Sequence, residues 1–225
     1  LSEISVPKLI YDNGLEALLT STGDVIDVGM TWDKELLHLN DVEELSSDIA
    51  DKFPMFEAND LLLSLRNYNL IMVISPETGK IKWWKIGPWL RQHDPEFTTD
   101  GTIVVFNNNT YRTAFGKRPH SNKSRVTIPR ISNIIEYDPN SDTHRVLYGG
   151  DNNEEMLSVI RGKVAVTQNG GLLVTEFEGG RVFETDNERR IVWEYINQYD
   201  SDEVAEITGA RIYHSSYFSE TNWVN

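Results

Sequence analysis

Cysteine is missing altogether from the 225 residues, which excludes a disulfide frame, a thiolate nucleophile and a zinc–thiolate centre. No stretch approaches the roughly 18–20 continuous apolar residues of a membrane-spanning helix, so no membrane insertion is expected. The opening "LSEISVPKLI" lacks a basic region followed by an apolar run, so no signal peptide is visible. Basic residues are scarce: 21 Lys and Arg against 35 Asp and Glu leave a net charge of −14. Such a field repels phosphate backbones and anionic lipid, and nucleic acid is not an expected partner. No glycine-rich phosphate loop precedes a helix; "EGGRV" reads as part of a hairpin. The acidic stretches "YDPNSD" and "DNNEE" do not follow an ordered D-x-D-x-D-G spacing and read as solvated turns. Neither a metal nor a cofactor is therefore expected.

What the chain does have is a degenerate repeat. An apolar strand, a turn and a second apolar strand recur in "LIMVISPETGKIKWW" (70–84), "IIEYDPNSDTHRVLY" (134–148) and "RVFETDNERRIVWEY" (181–195). A fourth copy reads "EALLTSTGDVIDVGMTW" (16–32). Pro, Asp, Asn and Gly occupy the turns, where they preset φ or tolerate left-handed backbone. Each of the last three copies follows another hairpin, ending "DLLLSLRN", "DGTIVVFNN" or "NGGLLVTEF". Two hairpins in succession make a four-stranded antiparallel sheet. The expected fold is all-β: a β-propeller with about four modules visible. The modules fall at about 16–34, 35–89, 90–150 and 151–200, with a closing strand at 208–218. Together they form one domain over 1–225, incomplete at its N-terminus if a half module is missing there. A β-sandwich is the rival architecture. "VEELSSDIADKF" (42–53) is the one stretch that reads as helical, and Trp83, Trp84 and Trp193 read as packing residues.

Two histidines stand at equivalent module positions, His38 in "LLHLNDVEEL" and His93 in "LRQHDPEF". The start of an antiparallel hairpin's first strand lies beside the end of its second. His93 is thus expected near Asn107 and Asn108, and His38 near Arg66 and Asn67, both at one mouth of a central channel. The segment "NNNTYRTAFGKRPHSNKSRVTIPRISN" (107–133) carries six basic residues, Arg112 and Arg125 among them, and no acid. Guanidinium groups suit tetrahedral oxyanions, and imidazole serves as nucleophile or acid–base near neutral pH. The combination points to transfer of a sulfuryl or phosphoryl group.

These same segments resemble the arylsulfotransferase family: "HLNDVEEL", "LLLSLRN", "VISPETGKIKWW", "QHDPEFTTDGTIVVFNN", "SNIIEYDP" and "NGGLLVTEFEGGRVFETDNERRIVWEY". The resemblance runs from about residue 16 to 218, with "QHD…DGTIVVFNN" and "TGKIKWW" its most specific parts. It implies a propeller, usually six-bladed, in a periplasmic or secreted enzyme. It also implies sulfuryl transfer from a phenolic sulfate to a phenol through a sulfohistidine, without a nucleotide donor. His38 and His93 match family histidines, and Arg112 matches the arginine after the "FNN" strand, with Arg125 its competitor; the family's nucleophilic histidine lies further along the chain than the "QHD" one and has no match in this sequence. The implied catalytic set is His38, His93 and Arg112. Asn40, Arg66, Asn107, Tyr111, Arg125 and Trp89 are expected to bind substrate. Gly162 stands where the third module would carry a His93 counterpart. His120, His144 and His214 lie in no matching motif. The rival reading is a non-catalytic propeller that binds an anionic small molecule or a protein partner. A metal-assisted hydrolase is a weaker alternative, and the oligomeric state is not legible.

Overall fold

Among the described residues, continuous apolar runs become the middle strands of three four-stranded antiparallel sheets, each with its strands in chain order. Sheet I holds β1 (Leu39–Glu44), β2 (Leu61–Leu65), β3 (Leu70–Ser75) and β4 (Lys80–Ile86). Sheet II holds β5 (His93–Phe97), β6 (Ile103–Asn107), β7 (Asn133–Asp138) and β8 (Thr143–Tyr148). Sheet III holds β9 (Lys163–Val166), β10 (Leu172–Glu176), β11 (Arg181–Thr185) and β12 (Ile191–Ile196). The computed structural model describes residues 3–19, 37–109, 131–149, 155–213 and 215–218.

Side chains of a strand alternate between faces, and in sheets I and II the two faces of the middle strands serve two different cores. Leu62, Ile71 and Val73 of sheet I meet Ile103, Val105, Ile135 and Tyr137 of sheet II. The other face of sheet II offers Val104, Phe106 and Ile134 to Val164, Leu172, Val174 and Phe183 of sheet III. Leu63, Leu65, Leu70, Met72 and Ile74, on the outer face of sheet I, are covered by Leu9, Ile10 and Leu18. These last three come from two short helices, α1 (Val6–Asp12) and α2 (Glu16–Leu19). A fully buried aliphatic or aromatic side chain is worth about 1.5–3 kcal/mol. Face-to-face stacking of consecutive sheets therefore dominates the stability. It brings β1 against β5 and β5 against β9.

The crossing from sheet I to sheet II is pinned by Asn69, which adopts a left-handed φ of 50° after β2. Its carbonyl accepts the Trp89 indole N–H at 2.8 Å and its side-chain oxygen accepts the Arg91 N–H at 2.7 Å. Trp89 is fully buried and meets Tyr137 edge-on.

Several expectations are corrected here. Residues 42–53 are not a helix: Val42–Glu44 ends β1, and only Ala50–Lys52 forms a 3-10 turn. The apolar spacing of this insertion instead sends Leu45, Phe53 and Phe56 into the core between sheets I and II. Helix α1 was not foreseen, although its Pro near the first turn after Ser5 is a helix-start signal. The expected half module at 16–34 begins as helix α2, and its residues 20–34 lie outside the described residues. Residues 208–213 form no strand and Ser215–Tyr217 is a 3-10 turn, so the closing strand is not formed among the described residues. Trp84 and Trp193 are exposed at 40% and 49%, because β4 and β12 are the outermost strands of their sheets. With three sheets, the fold is not a two-sheet sandwich.

Candidate functional site

His93 opens β5 and pairs with Phe106 of β6, a register that sets its ring beside Asn108. The ring nitrogen Nδ1 lies 2.7 Å from Asn108 Oδ1. The Asn108 amide nitrogen donates to the carbonyls of Ser158 (2.8 Å) and Arg161 (2.7 Å), so its oxygen is the end that faces the imidazole. Nδ1 must then be the protonated nitrogen, donating to Asn108. The other nitrogen, Nε2, accepts the backbone N–H of Arg161 at 3.2 Å. Both ring nitrogens are thus engaged, and His93 is a neutral imidazole. Burial pushes its pKa down to about 4; the Asn108 bond opposes this, and charge on Arg66 and His38 adds to it.

The backbone that caps Nε2 is itself specialised. Arg161 has φ 55° and Gly162 has φ 99°, both in the left-handed region. A Cβ on Gly162 would stand 2.5 Å from two ring carbons of Phe106. Only glycine lets this segment lie flat on that ring. The module position where a histidine might have stood is therefore taken by backbone that serves His93. The Arg161 guanidinium packs 4.5 Å from the Phe177 ring centroid.

His38 precedes β1, with φ 50°, and its carbonyl accepts the Arg66 N–H at 3.1 Å. Register along β1 and β2, with Leu39 opposite Leu65, sets it beside the end of β2 as the hairpin argument requires. His38 and His93 line one cavity of about 370 Å³, together with Asn40, Asp41, Asp94, Arg161 and Lys163. A second cavity of about 630 Å³, bounded by Glu96 and by Arg211, Ile212 and Tyr213, shares Asp94 and Lys163 with the first.

Carboxylates gather where β1 meets β5. Asp94 is held through both oxygens, by Lys163 Nζ at 2.7 Å and by the Val164 N–H at 2.8 Å. Glu43 accepts the Phe97 N–H at 2.7 Å, yet burial pushes its pKa up to about 9. Burial likewise raises Glu96 to about 8, with the Asp94 charge adding to it. Asp41 is raised to about 6, again by burial first and then by Asp94. All three are raised first by burial, which marks desolvated acids rather than solvated turn residues.

The remaining sequence-expected residues divide clearly. Asn40 lines the cavity; its amide donates to the Gln92 carbonyl at 2.8 Å, and its Oδ1 is sealed from solvent with no partner among the described residues. Arg66 stands close enough for its charge to act on His93. Asn107 is spent on the scaffold: its oxygen accepts Leu90 N–H (2.8 Å) and Asn109 N–H (3.0 Å), and its amide donates to Asn133 (2.9 Å). Trp89 is a core residue with no exposed surface, so the expectation that it stacks on substrate is corrected. Arg112, Tyr111 and Arg125 lie outside the described residues, as do His120 and His214. His144 is exposed on the outermost strand of sheet II. Asp41, Asp94, Arg161 and Lys163 were missed. The signal for them was the repeat itself: each stands within three residues of the three equivalent positions His38, His93 and Gly162. Among the described residues no cluster of three His, Asp or Glu side chains converges as a metal centre, and no helix is long and apolar enough to cross a membrane.

Comparison with known proteins bears on the same region. A crystal structure of a protein of unknown function from Bacteroides caccae is similar over 61% of this chain, at 15% identity and a TM-score of 0.36. The chain spans 42% of that protein's length. No curated protein matches the sequence. The family model described as Arylsulfotransferase (ASST) matches residues 1–198, a span that takes in all three sheets and both histidines. On that match, the chain belongs to the arylsulfotransferase family.

Proposed function

We propose that this chain transfers a sulfuryl group from a phenolic sulfate ester to a phenol at the cavity between His38 and His93. The observation that carries the reading is the convergence of these two imidazoles, from neighbouring sheets, on one cavity with Arg161 and Lys163. Family membership supports the reaction class. The cavity's 370 Å³ falls in the range of small-molecule sites and accommodates an aryl sulfate.

The two histidines take different roles. His93 is locked as a neutral imidazole with both nitrogens engaged, and serves as a positioning residue that fixes the Arg161 backbone. His38 is half-buried at the cavity and acts as nucleophile. One of its ring nitrogens attacks sulfur, the S–O bond to the aryl group breaks, and the electron pair leaves on the phenolate oxygen. Asn40 orients the sulfuryl group, and Arg161, with Arg112 from the basic 107–133 segment, offsets charge on its oxygens. The three sheets act as consecutive blades of a propeller within a single domain, with β1, β5 and β9 innermost; their stacking in chain order supports this. The family relation also favours a periplasmic or secreted setting, and small aryl molecules as partners.

Release of 4-nitrophenolate from 4-nitrophenyl sulfate in the presence of a phenol acceptor tests the reading. His38→Ala is expected to abolish turnover in protein that still folds. An inert wild type with every aryl sulfate refutes the transfer.

A further inference from the structure

Sulfuryl transfer between phenols leaves a proton to be managed twice, and the site as described so far has no group to do it. The first half-reaction expels a phenolate, a base of pKa about 10 when unsubstituted. The second needs a phenol to lose its proton as it attacks. His93 is unable to serve: its Nδ1 proton goes to Asn108 and its Nε2 lone pair accepts Arg161 N–H. Asp94 has both oxygens committed to Lys163 and Val164. Apart from Asp94 the cavity is lined by one carboxyl, Asp41, which has no ion pair among the described residues and stands three positions after His38 on the same strand edge.

Resting on the sulfuryl-transfer reading, we propose that Asp41 is the general acid and base of the reaction, protonating the departing phenolate oxygen and then deprotonating the incoming phenol. In the first half, an imidazole nitrogen of His38 bonds to sulfur while the aryl S–O bond breaks, and the Asp41 carboxyl hands its proton to the leaving oxygen. The products are a neutral phenol, an N-sulfo-imidazolium and an Asp41 carboxylate. In the second half the carboxylate takes the proton of the acceptor phenol, whose oxygen bonds to sulfur, and the S–N bonding pair returns to His38. Charge and protons balance, and the carboxyl is restored for the next cycle.

The surroundings suit a carboxyl that works in both states. On its own strand Asp41 is flanked by His38 and Glu43. From β5 the charges of Asp94 and Glu96 reach it, and from β9 that of Lys163; His93 and Arg161 line the same cavity, and the Arg66 charge acts on His93. Burial and the Asp94 charge outweigh Lys163 and the Val42 N–H, and bring its pKa to about 6. An acid–base group poised near the working pH is the most effective kind.

The test compares wild type with Asp41→Asn on two donors, phenyl sulfate and 4-nitrophenyl sulfate, with phenol as acceptor, after circular dichroism shows both proteins folded. Nitrophenolate is a far better leaving group and departs without a proton. The variant should therefore release it in the first turnover at nearly the wild-type rate, while release from phenyl sulfate falls by about 10²–10⁴-fold. In wild type, transfer to the acceptor should weaken as pH falls through about 6, because the base becomes protonated, and this limb should vanish in the variant. Equal loss on both donors, no loss on either, or survival of the limb overturns the role of Asp41 alone. A wild type inert with both esters overturns the transfer reading, and this inference with it.

Discussion

Replacing Glu43 by glutamine should stabilise the protein at neutral pH and do so far less at mildly acidic pH. Glu43 sits on β1 against β5, accepts the Phe97 N–H at 2.7 Å, and has its pKa raised from 4.5 to about 9. Burial is the largest cause; the Phe97 bond opposes it, and the charges of Glu96, Asp41 and Asp94 add to it. In the unfolded chain the same carboxyl ionises near its ordinary value. Below that value both states are protonated and the folded state keeps its full stability. Between pH 4.5 and 9 only the unfolded state ionises, so stability falls as pH rises. Each pH unit costs about 1.4 kcal/mol, so the upper limit at pH 7.5, three units above the ordinary value, is about 4 kcal/mol. Water entry and relaxation at a half-buried strand edge reduce that to on the order of 2 kcal/mol.

Glutamine keeps an oxygen for the Phe97 N–H and has no charge to lose. Glu43→Gln should therefore raise the melting temperature at pH 7.5 by about 4–8 °C for a chain of this size. At pH 5 the gap should shrink to about a fifth of that. Thermal unfolding followed by circular dichroism from pH 5 to pH 8 measures both curves. A gap between them that does not change with pH refutes the reasoning, as does a glutamine variant less stable than wild type at pH 7.5. Either result would mean that Glu43 ionises freely in the folded protein.

Two further predictions bear on the scaffold around the histidines. Trp89→Phe removes the indole N–H bond to Asn69 and some packing between sheets I and II, and should cost about 1–3 kcal/mol in denaturant unfolding. It should leave KM for any aryl sulfate unchanged; a raised KM would return the ring to the substrate. Gly162→Ala forces a methyl group onto Phe106 at a φ of 99° and should cost about 2–4 kcal/mol from strain and overpacking. By moving the Arg161 N–H off Nε2 it should also raise the His93 pKa from about 4, with burial still holding it below its ordinary value, which imidazole NMR titration reads directly. An unmoved His93 titration would separate that backbone from the histidine.

Legibility in the sequence follows the range of the interaction that decides each feature. The buried strands "LLLSL", "LIMVIS", "IVVFN" and "LLVTE" announce themselves because both of their faces are covered, which leaves no polar alternation to read. Hairpin register is nearly as local, and it brought His93 to Asn108 and His38 to Arg66. The insertion at 45–60 misled because its apolar spacing serves a core supplied by sheet II, where Phe53 meets Phe97 at 5.0 Å. Trp83 packs as read, but Trp84 and Trp193 misled because no local pattern tells an outermost strand from an inner one. The state of His93 was beyond reach altogether. Its Nε2 partner lies 68 residues away, on a backbone turn that exists only because Gly162 fits against Phe106. The carboxylates were hidden for a related reason: Asp41, Glu43 and Glu96 look like ordinary polar alternation along β1 and β5. They become chemically distinct only when stacking of sheet on sheet drives water from the edge they share. In this chain the reactive character of a side chain is a tertiary property, set by which neighbouring sheet covers it, whereas its position is already fixed by the hairpin that carries it.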